Sequence, residues 1–136
     1  MGLWTDAKDM LAAAKILHEK EKQRIGNPIY YLLCHGVEEA FKAFICAKGG
    51  SLKCLKSIGH DLELAKEWAV ACGLDKDYQI SKEHDTMLKL INGYYKSKEF
   101  EYRVTGYKRY PKSENLITFL EDLLKHIRNT CLQSVK

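Results

Sequence analysis

The feature that most constrains this chain is a recurrence of apolar residues at steps of three and four, carried through almost its whole length. Over residues 4–23, Trp4, Ala7, Leu11, Ala14 and His18 keep that rhythm with Lys and Glu between them, and Thr5 or Asp6 stands where a cap would. Gly26, Asn27 and Pro28 then interrupt, the proline suiting the first turn of a second helix over 28–48. Its stripe is Leu33, Val37, Phe41 and Phe44, and Gly49 and Gly50 end it. A loop, SLKCLKSIG, leads to a third helix capped by Asp61 and closed by Gly73, with Leu62, Ala65, Trp68, Ala69 and Cys72 on its inner face. A fourth helix over 80–95 buries Ile80, Met87, Leu88, Ile91 and Tyr95. Ser113 caps a fifth, which carries Leu116, Leu120, Leu123 and Ile127 on one side. Only EYRVTGY (101–107) alternates as a strand would, and one strand cannot make a sheet. The expected fold is all-α: a five-helix antiparallel up-and-down bundle, one domain over 1–136, with a long aromatic and basic loop before the last helix.

Composition excludes several classes. The chain is 46% hydrophobic and 29% charged, as ordinary soluble globular proteins are. The longest run free of Lys, Arg, Asp and Glu is IGNPIYYLLCHGV (25–37), too short for the roughly 20 apolar residues of a membrane span. The start, MGLWTDAKDM, lacks a signal core, so a cytoplasmic location is expected. Five cysteines without a C-x-x-C read as small buried apolar residues in a reducing compartment. Ligand pairs with zinc spacing are absent, so neither metal nor cofactor is expected.

Charge and aromatic rings gather in one place. From Tyr94 to Pro111 the chain reads YYKSKEFEYRVTGYKRYP, which holds six of its twelve Tyr and Phe residues. From Lys96 to Lys112 six Lys/Arg face two Asp/Glu, a balance of +4, while the remainder has 16 of each. Phosphates call for Lys and Arg, and unstacked bases call for flat rings. Lys96, Lys98, Arg103, Lys108 and Arg109 supply the first; Tyr95, Tyr107 and Tyr110 supply the second. The same composition also suits a loop pinned to a bundle by its aromatics, with solvated lysines.

On the second helix His35, Glu38 and Lys42 fall within roughly 60° of arc. Glu38 and Lys42 are in the favourable order for a surface salt bridge worth a few tenths of a kcal/mol; a polar interface or pocket flanked by Tyr31 and Ile45 is the alternative. His60 and Asp61 adjoin at a helix start, where Asp61 caps and His60 faces the preceding loop. No G-x-S-x-G, P-loop, dinucleotide glycine pattern or H-E-x-x-H occurs, so no catalytic residue is assigned.

Three pieces stand in a recognisable order: HGVEEAFKAFICAKG (35–49), GHDL (59–62), and KRYP (108–111) after a helix bearing Asn92 and Tyr95. Together they resemble the HEPN domain, the higher eukaryotes and prokaryotes nucleotide-binding family, over residues 28–125. The most specific element is E-x-x-x-K-A at Glu38, Lys42 and Ala43, followed by Gly59-His60-Asp61-Leu62. The resemblance implies a five-helix bundle, commonly a homodimer, working on nucleotides or RNA. Many members are prokaryotic toxins or partners of small nucleotidyltransferases. The family's ribonuclease motif, an Arg followed after four to six residues by a His, is missing: none of Arg24, Arg103, Arg109 and Arg128 has a histidine there.

The expectation is therefore a non-catalytic HEPN-like module that binds a nucleotide or RNA, as partner of a minimal nucleotidyltransferase in a toxin–antitoxin-like pair. His35, Glu38, Lys42 and His60 form its polar patch or dimer seam. Two alternatives stand beside it: a degenerate metal-independent ribonuclease assembling Arg109 or Arg128 with His126 across a dimer, and a purely protein-interacting helical module.

Overall fold

The computed structural model describes residues 2–20, 27–96 and 111–133. Among them seven helices and no strand occur: α1 (Gly2–Lys20), α2 (Asn27–Ala47), α3 (Leu52–Ile58), α4 (Leu62–Ala71), α5 (Leu74–Asp77), α6 (Lys82–Lys96) and α7 (Ser113–Gln133). The all-helical expectation holds, but the count of five misses α3 and α5. The alternating run 101–107 lies outside the described residues.

The periodic residues are where helical geometry sends them. Leu33, Val37, Phe41 and Phe44 of α2, with Leu116, Leu120, Leu123 and Ile127 of α7, are all fully buried. α2 packs against α1, α7, α4, α3 and α6, which makes it the central helix of the bundle. Gly36 makes its closest approach possible. A Cβ there would stand 2.7 Å from Leu120 Cδ2 and 3.4 Å from Met10 Cβ, so the Leu120 side chain would have to move to admit it.

Several local expectations change. α1 begins at Gly2, so Thr5 and Asp6 lie inside the helix instead of capping it. The reason is Trp4, whose Nε1 donates to Leu124 O at 3.0 Å and draws the first turn onto α7. SLKCLKSIG is helical because Ser51 accepts from Cys54 N and because Leu55 and Ile58 supply two buried positions. Trp68 is 42% exposed: it stands about 90° round α4 from the mean direction of buried Leu62, Ala65 and Ala69. Ser113 does not cap α7; its hydroxyl meets His18 Nδ1 at 3.1 Å, and Lys112 O takes the N–H groups of Asn115 and Leu116. Cys34 and Cys131 are buried, whereas Cys46 is exposed and Cys54 and Cys72 are half-buried. No helix among the described residues is long and apolar enough to cross a membrane.

Candidate functional site

Polar side chains from α2, the α3–α4 turn and α6 converge beside the core. α2 contributes His35, Glu38, Glu39 and Lys42; the turn contributes Gly59, His60 and Asp61; α6 contributes Asn92, Tyr95 and Lys96. Gly59 ends α3 at φ 61°, a conformation that other residues rarely adopt. That turn brings its carbonyl to Lys42 Nζ at 2.8 Å.

Glu38 is the hub. It is only 4% exposed, yet its carboxylate is fully engaged. Oε2 accepts from Lys42 Nζ at 2.8 Å, while Oε1 accepts from Tyr95 OH at 2.6 Å and from His60 Nδ1 at 2.8 Å. Burial pushes this carboxyl up, but the bonds from Lys42, Tyr95 and His60 outweigh it and hold the pKa below the ordinary value. The Glu38–Lys42 pair is thus an interior one, not the surface bridge that spacing suggests. His60 turns to α2 and not to the preceding loop.

These contacts settle where the protons sit. A carboxylate only accepts, so His60 carries its hydrogen on Nδ1 and presents Nε2 at the half-exposed edge of the ring. Tyr95 spends its single proton on Glu38. The 3.2 Å contact between His35 Nδ1 and Tyr95 OH therefore has His35 as donor. Burial and the charge of Glu38 drive the Tyr95 phenol far upward, so it stays a donor. Tyr95 is 4% exposed, its ring edge-on to His60 and tilted against Tyr31. It is a structural strut, and the expectation that it offers an open stacking face is corrected.

Glu39 sits next to this hub on different terms. It is 7% exposed, and its Oε1 is a buried polar atom with no hydrogen-bond partner among the described residues. Burial, then the neighbouring Asp6 and Glu38 carboxylates, raise its pKa to about 7. His35 Nε2 lies 3.5 Å away. With Nδ1 already donating, that nitrogen and Oε1 would oppose lone pairs unless one of them holds a proton.

At the other edge Asp61 caps α4 through Leu64 N at 3.2 Å and accepts from Asn92 Nδ2 at 2.9 Å. Asn92 Oδ1 in turn accepts from Leu62 N at 2.7 Å. Lys96 Nζ lies 3.8 Å from Asp61, its side chain 59% exposed. Asn92, only 2% exposed, had no signal in periodicity beyond lying on the inner stripe of α6. The structure thus brings together His35, Glu38, Lys42, His60, Tyr95 and Lys96. Lys98, Arg103, Tyr107, Lys108, Arg109 and Tyr110 lie outside the described residues. The return point of that stretch is anchored, since Tyr30 OH donates to Pro111 O at 2.5 Å.

His126 stands apart, its Nδ1 donating to Asp122 O at 2.7 Å within α7 and its ring 4.9 Å from Tyr78. No hydrogen bond or ion pair joins it to Arg128 among the described residues. A groove of about 350 Å³ between α4, α5 and the start of α6 contains Lys66, Tyr78 and Asp85, with Lys66 paired to Asp85. No cluster able to hold a metal ion occurs among the described residues.

Chemically, the hub is a fixed carboxylate ringed by donors. The fold and site define a helical bundle with a buried polar seam. No family model, curated protein or solved structure matches the chain.

Proposed function

We propose that this chain is a non-catalytic, HEPN-like module that binds a nucleotide or RNA. In this reading the five longer helices form an up-and-down bundle, and the module acts as a cytoplasmic homodimer beside a minimal nucleotidyltransferase. Lys96, Lys98, Arg103, Lys108 and Arg109 contact phosphates, and Tyr107 and Tyr110 stack on bases. His35, Glu38, Lys42 and His60 brace the scaffold under them.

The observation that carries the reading is charge localisation: residues 96–112 hold six Lys/Arg and two Asp/Glu, a surplus equal to the whole chain's +4. Its flanks support it. Tyr95 is bonded to Glu38, Lys96 lies by Asp61, and Pro111 is tied to Tyr30. A cationic segment held at both ends has less ordering entropy to lose on binding than a free tail.

The test is binding of a labelled oligoribonucleotide at low and raised salt. Affinity is expected to fall steeply with salt, because each neutralised phosphate releases counterions. Lack of binding at low salt removes the proposal.

A further inference from the structure

The neutral balance outside residues 96–112 hides two opposed segments. Residues 40–60 contain Lys42, Lys48, Lys53 and Lys56 and no Asp or Glu, a balance of +4. Residues 61–85 contain seven acids (Asp61, Glu63, Glu67, Asp75, Asp77, Glu83, Asp85) against Lys66, Lys76 and Lys82, a balance of −4.

The structure then sorts the cations of the first segment. Lys42 is neutralised inside the hub by Glu38. Lys48 is exposed and held over the Phe44 ring at 5.6 Å. Lys53 and Lys56 are exposed on α3, and neither makes an ion pair among the described residues. They are three apart on one short helix whose other side buries Leu55 and Ile58, so both project from the same outer face. In the second segment, by contrast, Lys66 is paired with Asp85.

Position links this face to the proposed binding segment. α3 runs into the turn carrying Gly59, His60 and Asp61. The His60 ring lies 5.8 Å from that of Tyr95, and Asp61 stands 3.8 Å from Lys96. The turn that ends α3 therefore lies beside the end of α6, where Tyr95 and Lys96 stand.

We propose that the outer face of α3, with Lys53 and Lys56, is a second contact surface for the phosphate backbone of a single-stranded RNA. The inference rests on the RNA-binding reading above and extends it to Lys53 and Lys56, which lie outside the motifs that carry the family resemblance. The occupant follows from charge: two unpaired ammonium groups on one helix face complement successive backbone phosphates, and long flexible lysines read charge and not base sequence.

The experiment titrates the full chain against a labelled oligouridylate across a salt series, comparing wild type with Lys53→Ala/Lys56→Ala and with Lys76→Ala/Lys82→Ala. Losing two phosphate contacts on a single strand flattens the slope of log affinity against log salt by about 1.4 and weakens binding at low salt. The Lys76/Lys82 variant, from the acidic segment, is expected to match wild type. Both pairs are exposed, so an unchanged melting temperature accompanies either result. If wild type binds and the Lys53/Lys56 variant binds with the same slope, the α3 surface is overturned while the RNA-binding reading stands. If wild type does not bind at low salt, that reading falls and takes the inference with it. A Lys53/Lys56 variant that loses binding to phosphatidylserine vesicles but keeps oligouridylate binding also overturns the proposal, by giving the face to a membrane surface.

Discussion

Glu38 and Glu39 are consecutive residues on one helix, 4% and 7% exposed, and their carboxyl groups behave in opposite ways. The seam between α2, α6 and the α3–α4 turn offers Glu38 three donors. The seam between α2 and α1 offers Glu39 another carboxylate, Asp6, and a histidine nitrogen at 3.5 Å. One acid is held ionised below its ordinary pKa; the other is pushed up to about 7. Burial is nearly the same for both, so burial alone does not decide whether an interior acid carries charge. The partners around each carboxyl, from α2 itself and from neighbouring elements, do.

That contrast can be broken most directly at Glu38. Its replacement by alanine strands Tyr95 OH and His60 and leaves the ammonium of Lys42 with Gly59 O alone. The expected loss is about 3 kcal/mol in urea unfolding at neutral pH. A loss below about 1 kcal/mol would mean that the hub is not the rigid centre described here.

The pH dependence is the next largest effect. Glu39 has a folded pKa of about 7 against an ordinary 4.5, so the folded protein binds more protons between those values. Stability is therefore fully present below about 4.5 and is lost as pH rises through about 7, by up to about 3 kcal/mol. Glu38 acts with the opposite sign: its contribution is present above 4.5 and lost as pH falls through its lower folded pKa. Glu39→Gln should flatten the neutral limb and leave the acid limb in place. Stability curves that superimpose for wild type and this variant would refute the assignment.

The smallest change is at Asp6. Converting it to asparagine removes one of the two charges that oppose Glu39 ionisation, moves the neutral limb toward lower pH and adds about 1 kcal/mol above pH 7. Following the Glu39 carboxyl carbon by NMR titration checks it; an unmoved midpoint shows that Asp6 does not contribute to the shift.

The same contrast explains what could be read in the sequence. The apolar stripes of α2 and α7 were legible because a helix packed on one side must repeat its buried residues every three or four positions. α3 was not, since seven residues with two buried positions are shorter than one periodic window. His35, Glu38 and Lys42 could be placed on one side of α2 from their spacing. Their burial could not, because it depends on Tyr95, 57 positions away from Glu38, and on His60, 22 positions away. Glu39 gave no signal at all: its environment is set by burial and by Asp6, on another helix, together with its neighbour Glu38. Local periodicity encodes which face turns inward, whereas the pairing of buried polar groups is a property of the assembled bundle.

The indole of Trp4 also equips the molecule with an optical readout. The chain has two tryptophans: Trp4 is 8% exposed and bonded to the last helix, while Trp68 is 42% exposed on α4. Emission from Trp4 is expected towards the blue and that from Trp68 towards the red. Release of α1 from α7 would shift the first without touching the second. With Trp68 replaced by phenylalanine, fluorescence would follow the docking of one helix alone, resolving whether the first and last helices part before the remainder melts.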